Sequence, residues 1–191
     1  IDCIHTTAAS HNRVFIVEIM GHKVGWLPLH AGVAGGADII LIPEIPYDID
    51  KVVEAINKRS KDGKGFTILA VAEGAISKEL KAKKKETKYP SVSYEVAAQI
   101  QERTGNEVRV TVPGHMQRGG SPCAYDRVLC TQLGAHAAKL ILDEDYGYMV
   151  GMIDGQTRKV PLGDVAGKLK MVQPDCQLIK EAKLVGICFG D

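Results

Sequence analysis

The segment Pro113-Gly-His-Met-Gln-Arg-Gly-Gly-Ser-Pro122 gathers side chains and backbone suited to an anion. His115 brings a donating ring nitrogen and Arg118 a planar fork of donors, both matched to phosphate oxygens. Gly114, Gly119 and Gly120 let the backbone approach a ligand closely. A helix expected to open at Ser121-Pro122, with serine as N-cap, would add free N–H groups and a positive dipole end. Two readings are open: a phosphate site, or a glycine-rich turn that holds a structural salt bridge.

Other candidates lie beside expected strands. Glu73 follows the apolar run Ile68 to Ala72, where its carboxylate could accept from sugar hydroxyls or simply end a strand in solvent. Met20, Gly21 and His22 follow another strand, so their backbone would border the same crevice, with His22 either a turn histidine or a base. Arg13 precedes that strand, and Arg109 sits among Val108, Val110 and Val112 as an edge charge or a member of a structural ion pair. His5, His11, His30 and His136 show no HxH or HExxH spacing, so no metal site is expected.

These residues need a scaffold that collects strand ends. Apolar periodicity predicts strands over 14–19, 38–43, 66–72 and 107–112, and helices over 26–34, 49–58, 93–103 and from Ser121 to about Leu142. Asp48 or Asp50 caps the second helix, and Gly35-Gly36 ends the first. This alternation predicts an α/β fold with a largely parallel sheet flanked by helices, in which ligands gather at the carboxyl ends of strands. Beyond residue 143 a hairpin is expected, with strands over 146–153 and 157–160 joined by Asp154-Gly155. The lysine-rich stretch 78–88 reads as a surface excursion, and the opening Ile-Asp-Cys-Ile-His-Thr-Thr-Ala as the middle of a helix that something precedes.

With 24 basic and 23 acidic side chains, a net charge of +1 gives no global field for nucleic acid or an anionic membrane. No apolar run reaches the ~20 residues of a bilayer span and no signal peptide is evident, so a cytoplasmic protein is expected. The five cysteines are odd in number and scattered, and are expected to be reduced and mostly buried.

Four motifs occur in one order: Val17-Glu-Ile-Met-Gly-His22; Ala34-Gly-Gly-Ala-Asp38 with Ile42-Pro-Glu44; Val71-Ala-Glu73; and Gly114-His-Met-Gln-Arg-Gly-Gly-Ser-Pro122 with Asp126-Arg127. In these the chain resembles phosphofructokinases, from Ser10 to its last residue, and Gly186-Ile-Cys-Phe-Gly-Asp191 is similar to the family's final strand.

The resemblance implies part of the Rossmann-like phosphofructokinase fold. Residues 1–142 would form the region that binds fructose 6-phosphate. Residues 143–191 would form a hairpin, a helix and a closing strand that returns to the same domain or to an N-terminal one outside this sequence. The implied reaction is glycolytic phosphoryl transfer from ATP or pyrophosphate, with Mg2+, to the 1-hydroxyl of fructose 6-phosphate.

Carried over by resemblance, His115 and Arg118 hold the 6-phosphate, and Glu73, Met20 and Gly21 contact the sugar. Arg13 and Arg109 reach the substrate of a neighbouring subunit in a homotetramer or homodimer. The family's pattern has arginine where this chain has His22, near the phosphates being transferred, and Lys23 could supply part of that charge. The Gly-Gly-Asp-Gly donor loop, the Thr-Ile-Asp-Asn-Asp segment with the catalytic aspartate and the Mg2+ ligands do not occur in this sequence and are expected upstream of Ile1. The alternative reading is a non-catalytic sugar-phosphate-binding or regulatory domain.

Overall fold

A computed structural model describes residues 1–9, 13–79 and 88–191. The expected excursion over 78–88 falls mostly on residues 80–87, outside the described residues, as does His11.

The chain divides into two compact units, Ile1–Gln117 with Met171–Asp191, and Arg118–Lys170. In the first, four strands lie in the order β2-β3-β1-β4, all parallel: β1 Val14–Ile19, β2 Ile39–Leu41, β3 Thr67–Ala72 and β4 Val108–Thr111. Every residue of β1, β2 and β3 is buried, as central parallel strands covered on both faces require. Alternate side chains feed opposite cores. Phe15, Val17, Ile19, Ile40, Ile68 and Ala70 face a cluster that includes Ala8 of α1 (Asp2–Ala8), Leu29 of α2 (Trp26–Ala34) and Ile179 of α7 (Gln177–Leu184). Val14, Ile16, Ile39, Leu41, Leu69 and Val71 face a second cluster, with Val52 and Ile56 of α3 (Ile49–Lys61) and Val96 and Ile100 of α4 (Val92–Thr104). The expected α/β sheet flanked by helices is therefore present.

Helix boundaries follow local chemistry. Asp48 caps α3, its carboxylate accepting from Asp50 N at 2.9 Å. Buried Glu18, the lone charge within β1, has its carboxylate satisfied by Ser91 Oγ at 2.6 Å. The terminal segment forms no full strand. It makes a single parallel bridge, Cys188 to Ile39, with Ile40 N donating to Cys188 O at 2.9 Å along the free edge of β2.

The second unit holds α5 (Ala124–Leu142), the antiparallel hairpin β5 (Tyr148–Ile153) and β6 (Gln156–Pro161), and the short α6 (Leu162–Val165). The hairpin turns at Asp154 and Gly155, both at positive φ (50° and 73°), the geometry that tight two-residue turns demand. The helix expected to open at Ser121 starts three residues later. Cys123 is its N-cap, and Cys123 N donates to Asp126 Oδ2 at 3.0 Å. These contacts with Cys123 hold the Asp126 carboxyl below the usual carboxylate range. Asp126 thus sets an acidic side chain in the first turn, at the positive end of the helix. The cysteines also depart from expectation: Cys3, Cys123 and Cys130 are exposed, and Cys176 and Cys188 are partly buried.

Candidate functional site

Met20, Gly21 and His22 continue β1 past its last ladder pair, and Glu73 does the same for β3. The two segments lock together. Glu73 N donates to Ile19 O at 3.0 Å, while Glu73 Oε1 accepts from Gly21 N at 3.1 Å and from His22 N at 2.6 Å. His22 adopts a left-handed φ of 53°, uncommon for a non-glycine residue. Its carbonyl comes so close to Gly74 that a Cβ there would lie 2.1 Å from His22 O, so only glycine fits.

Beyond β4 the chain enters the 3-10 helix Gly114–Arg118, which carries His115, Gln117 and Arg118. Gln117 reaches back to β1, its Oε1 accepting from Met20 N at 3.1 Å. Glu18, Met20, Glu73, Val112, Gly114, His115 and Gln117 line a cleft of 140 Å³ at the carboxyl ends of β1, β3 and β4. Of the residues singled out in the sequence, Met20, Glu73 and His115 share this cleft, with Gly21 and His22 bonded to Glu73. Arg118 begins the second unit.

Gln117 was not singled out in the sequence, nor was Glu44. The Glu44 Oε1 accepts from Gly25 N and from Val172 N, each at 3.0 Å, and so ties the loop after β1 to the chain beyond residue 170. A Cβ at Gly25 would sit 2.7 Å from Glu44 Oε2. The Pro-Glu pair in Ile42-Pro-Glu44 was the available signal, because a carboxylate directly after a buried strand must find donors.

Arg13 and Arg109 stand at the other end of the sheet. Arg13 precedes Val14, which pairs with Val108, and Arg109 pairs with Phe15. At about 3.3 Å per residue, the seven steps from Arg13 to Met20 span about 23 Å. Both guanidinium groups meet the carboxylate of Glu107, Arg13 Nε at 2.5 Å. Within this chain the two arginines are therefore neighbours of each other and not of the cleft.

The family model for phosphofructokinase matches residues 1–141. The chain belongs to the phosphofructokinase family. An ATP-dependent 6-phosphofructokinase of Spirochaeta thermophila is 53% identical over 199 residues, which take in all of this chain and 54% of that protein. ATP-dependent 6-phosphofructokinase 3 of Bacteroides thetaiotaomicron is 44% identical, again over all of this chain and 54% of the relative. The chain thus spans about half the length of the curated relatives it matches. Among solved structures, the phosphofructokinase of Saccharomyces cerevisiae overlays 97% of this chain and 23% of its own with a TM-score of 0.74 at 32% identity. A pyrophosphate-dependent phosphofructokinase of Marinobacter aquaeolei overlays 97% of this chain and 50% of its own with a TM-score of 0.75; at 22% identity it shows the shared fold alone.

No helix among the described residues is long and apolar enough to cross a membrane. Nor, among those residues, do three His, Cys, Asp or Glu side chains gather as a metal ion would need.

Proposed function

We propose that this chain is the sugar-phosphate half of an ATP-dependent 6-phosphofructokinase, a glycolytic phosphotransferase acting on the 1-hydroxyl of fructose 6-phosphate. The observation that carries this reading is the convergence of Met20, Glu73 and His115 on one cleft at the carboxyl ends of parallel strands, where α/β sheets hold their ligands. Glu73 commits one carboxylate oxygen to the Gly21 and His22 amides, which fixes the other to receive sugar hydroxyls. By resemblance to the family, His115 and Arg118 would bind the 6-phosphate, each as a donor suited to phosphate oxygens. ATP is favoured over pyrophosphate because the relatives of higher identity carry ATP in their names.

In this reading the chain's own residues bind and orient the sugar. Mg2+ belongs to the full-length enzyme. The described residues offer no cluster to hold it. The proton acceptor and donor loop lie on residues that this sequence does not contain. Met20 and Gly21 shape the sugar contact, and His22 takes the place of an arginine near the transferred phosphate, with Lys23 beside it. Arg13 and Arg109 serve a neighbouring subunit in a cytoplasmic homodimer or homotetramer.

The test is an assay of the full-length protein and of this chain alone, each with fructose 6-phosphate and either ATP or pyrophosphate. The full-length enzyme should turn over with ATP and the chain alone with neither donor. Replacing Arg118 by alanine in the full-length enzyme should raise the KM for fructose 6-phosphate by about tenfold or more, since a charge-assisted bond to phosphate contributes about 1.5–3 kcal/mol. Turnover by the isolated chain, or an unchanged KM in the variant, would overturn the assignment.

A further inference from the structure

The parallel ladder between β1 and β4 runs from Val14↔Val108 to Val17↔Thr111, and continuing it would set Pro113 opposite Ile19. In such a ladder the residue facing position i accepts from the N–H of i+1 and donates to the C=O of i−1. Proline has no N–H to donate, so β4 cannot complete the pairing. The two backbone groups left on that flank are Met20 N–H and Glu18 C=O. The Gln117 side chain meets both: Oε1 accepts from Met20 N at 3.1 Å, and Nε2 lies 3.5 Å from Glu18 O and 3.3 Å from Gly114 O. Its amide orientation is set by these partners, with the oxygen facing a donor and the nitrogen facing two carbonyls.

We infer that the Gln117 carboxamide stands in for the missing peptide group of β4, and that Gln117 is thereby a positioning residue for the substrate cleft. It fixes Met20 and the His115-bearing turn in one frame, through Glu18 and Met20 on one side and Gly114 on the other. On the opposite flank of β1, Glu73 Oε1 accepts from Gly21 N, where a regular ladder would use the main-chain carbonyl. Side chains from both neighbouring strand ends therefore take over the ladder where the cleft begins. The role assigned to Gln117 in catalysis rests on the reading of this cleft as the fructose 6-phosphate site.

Two variants of the full-length enzyme test it. Gln117→Glu keeps an acceptor for Met20 N but sets a second acceptor against the Glu18 and Gly114 carbonyls. At about pH 8 its KM for fructose 6-phosphate should exceed the wild-type value about tenfold, with the KM for ATP within about twofold. The excess should shrink as the pH falls into the carboxylate range, because a protonated carboxyl again pairs one acceptor with one donor; Glu18, Glu73 and His115 line the same cleft, so the excess is read against wild type at each pH. Gln117→Ala should raise the same KM with no such pH dependence. Without any substrate, amide exchange at Met20 should be about tenfold faster in Gln117→Ala, with Val17 unchanged.

Unchanged exchange at Met20 would overturn the strand-surrogate role whatever the kinetics show. Faster exchange with an unaltered fructose 6-phosphate KM in both variants would overturn the positioning role. A wild-type enzyme that does not bind fructose 6-phosphate would instead sink the substrate reading and leave the exchange result to decide the role of Gln117 in the fold.

Discussion

Tyr47 is wholly buried, yet its hydroxyl has no hydrogen-bond partner among the described residues. A buried hydroxyl that gives up water without a protein partner is destabilising, so Tyr47→Phe should make the chain about 1 kcal/mol more stable to urea. Burial, with a smaller contribution from Glu95, also pushes the phenol of Tyr47 above its ordinary value. The sign then follows. Above about pH 10 the unfolded phenol loses its proton while the folded one keeps it, so stability is lost as pH rises, and the advantage of the phenylalanine variant should widen there. Gly74→Ala acts in the other direction. Its Cβ would fall 2.1 Å from His22 O, so it should destabilise the fold by about 2 kcal/mol or more and, in the full-length enzyme, raise the KM for fructose 6-phosphate. At this scale the sequence was legible where chemistry follows a strand: Met20 and Glu73 come directly after β1 and β3, His115 lies on the turn that follows β4, and all three line one cleft. Gln117 was not legible, because its partner Met20 lies 97 residues away and a glutamine between Met116 and Arg118 in a glycine-rich loop reads as solvent-facing.

Elements read well where apolar residues dominate. The helix Trp26–Ala34, set between Gly25 and Gly35, and the fully buried strand Val14–Ile19 have the expected bounds. Ends governed by polar contacts drifted: α3 continues to Lys61, and α5 begins at Ala124 because the Cys123–Asp126 pair, rather than Ser121, caps it. The same helix carries a physical consequence. No residue of Arg118–Lys170 is buried within this chain, and Tyr125, Val128, Ile141 and Leu142 are exposed along α5. Helices draw most of their stability from packing an apolar face. Amide exchange in the isolated chain should therefore be fast across Ala124–Leu142 and slow across β1 and β3, and mass spectrometry of exchanged peptides reads both. Protection along α5 equal to that of β1 would show that the helix is stable without further cover.

For the whole molecule the question is what Arg13 and Arg109 serve. They share the carboxylate of Glu107 at the amino ends of β1 and β4, whereas Met20, Glu73 and His115 line the cleft at the carboxyl ends. About 23 Å of strand separates Arg13 from Met20, beyond the reach of an arginine side chain, and the Arg109 guanidinium is paired with Glu107 rather than with a residue of the cleft. Each is also partly exposed. If both complete the site of a neighbouring copy, the charge they carry is used across a two-fold interface, where a planar fork suits a shared phosphate. Mixing then decides. Full-length enzymes carrying Arg109→Ala or His115→Ala should each be weak as homo-oligomers. In hybrids of the two, some sites pair an intact His115 from one chain with an intact Arg109 from the other, and activity should rise above that of either parent. Verified hybrids that stay as weak as their parents would place both residues in the service of a single chain, and the sharing of the site between copies would be refuted.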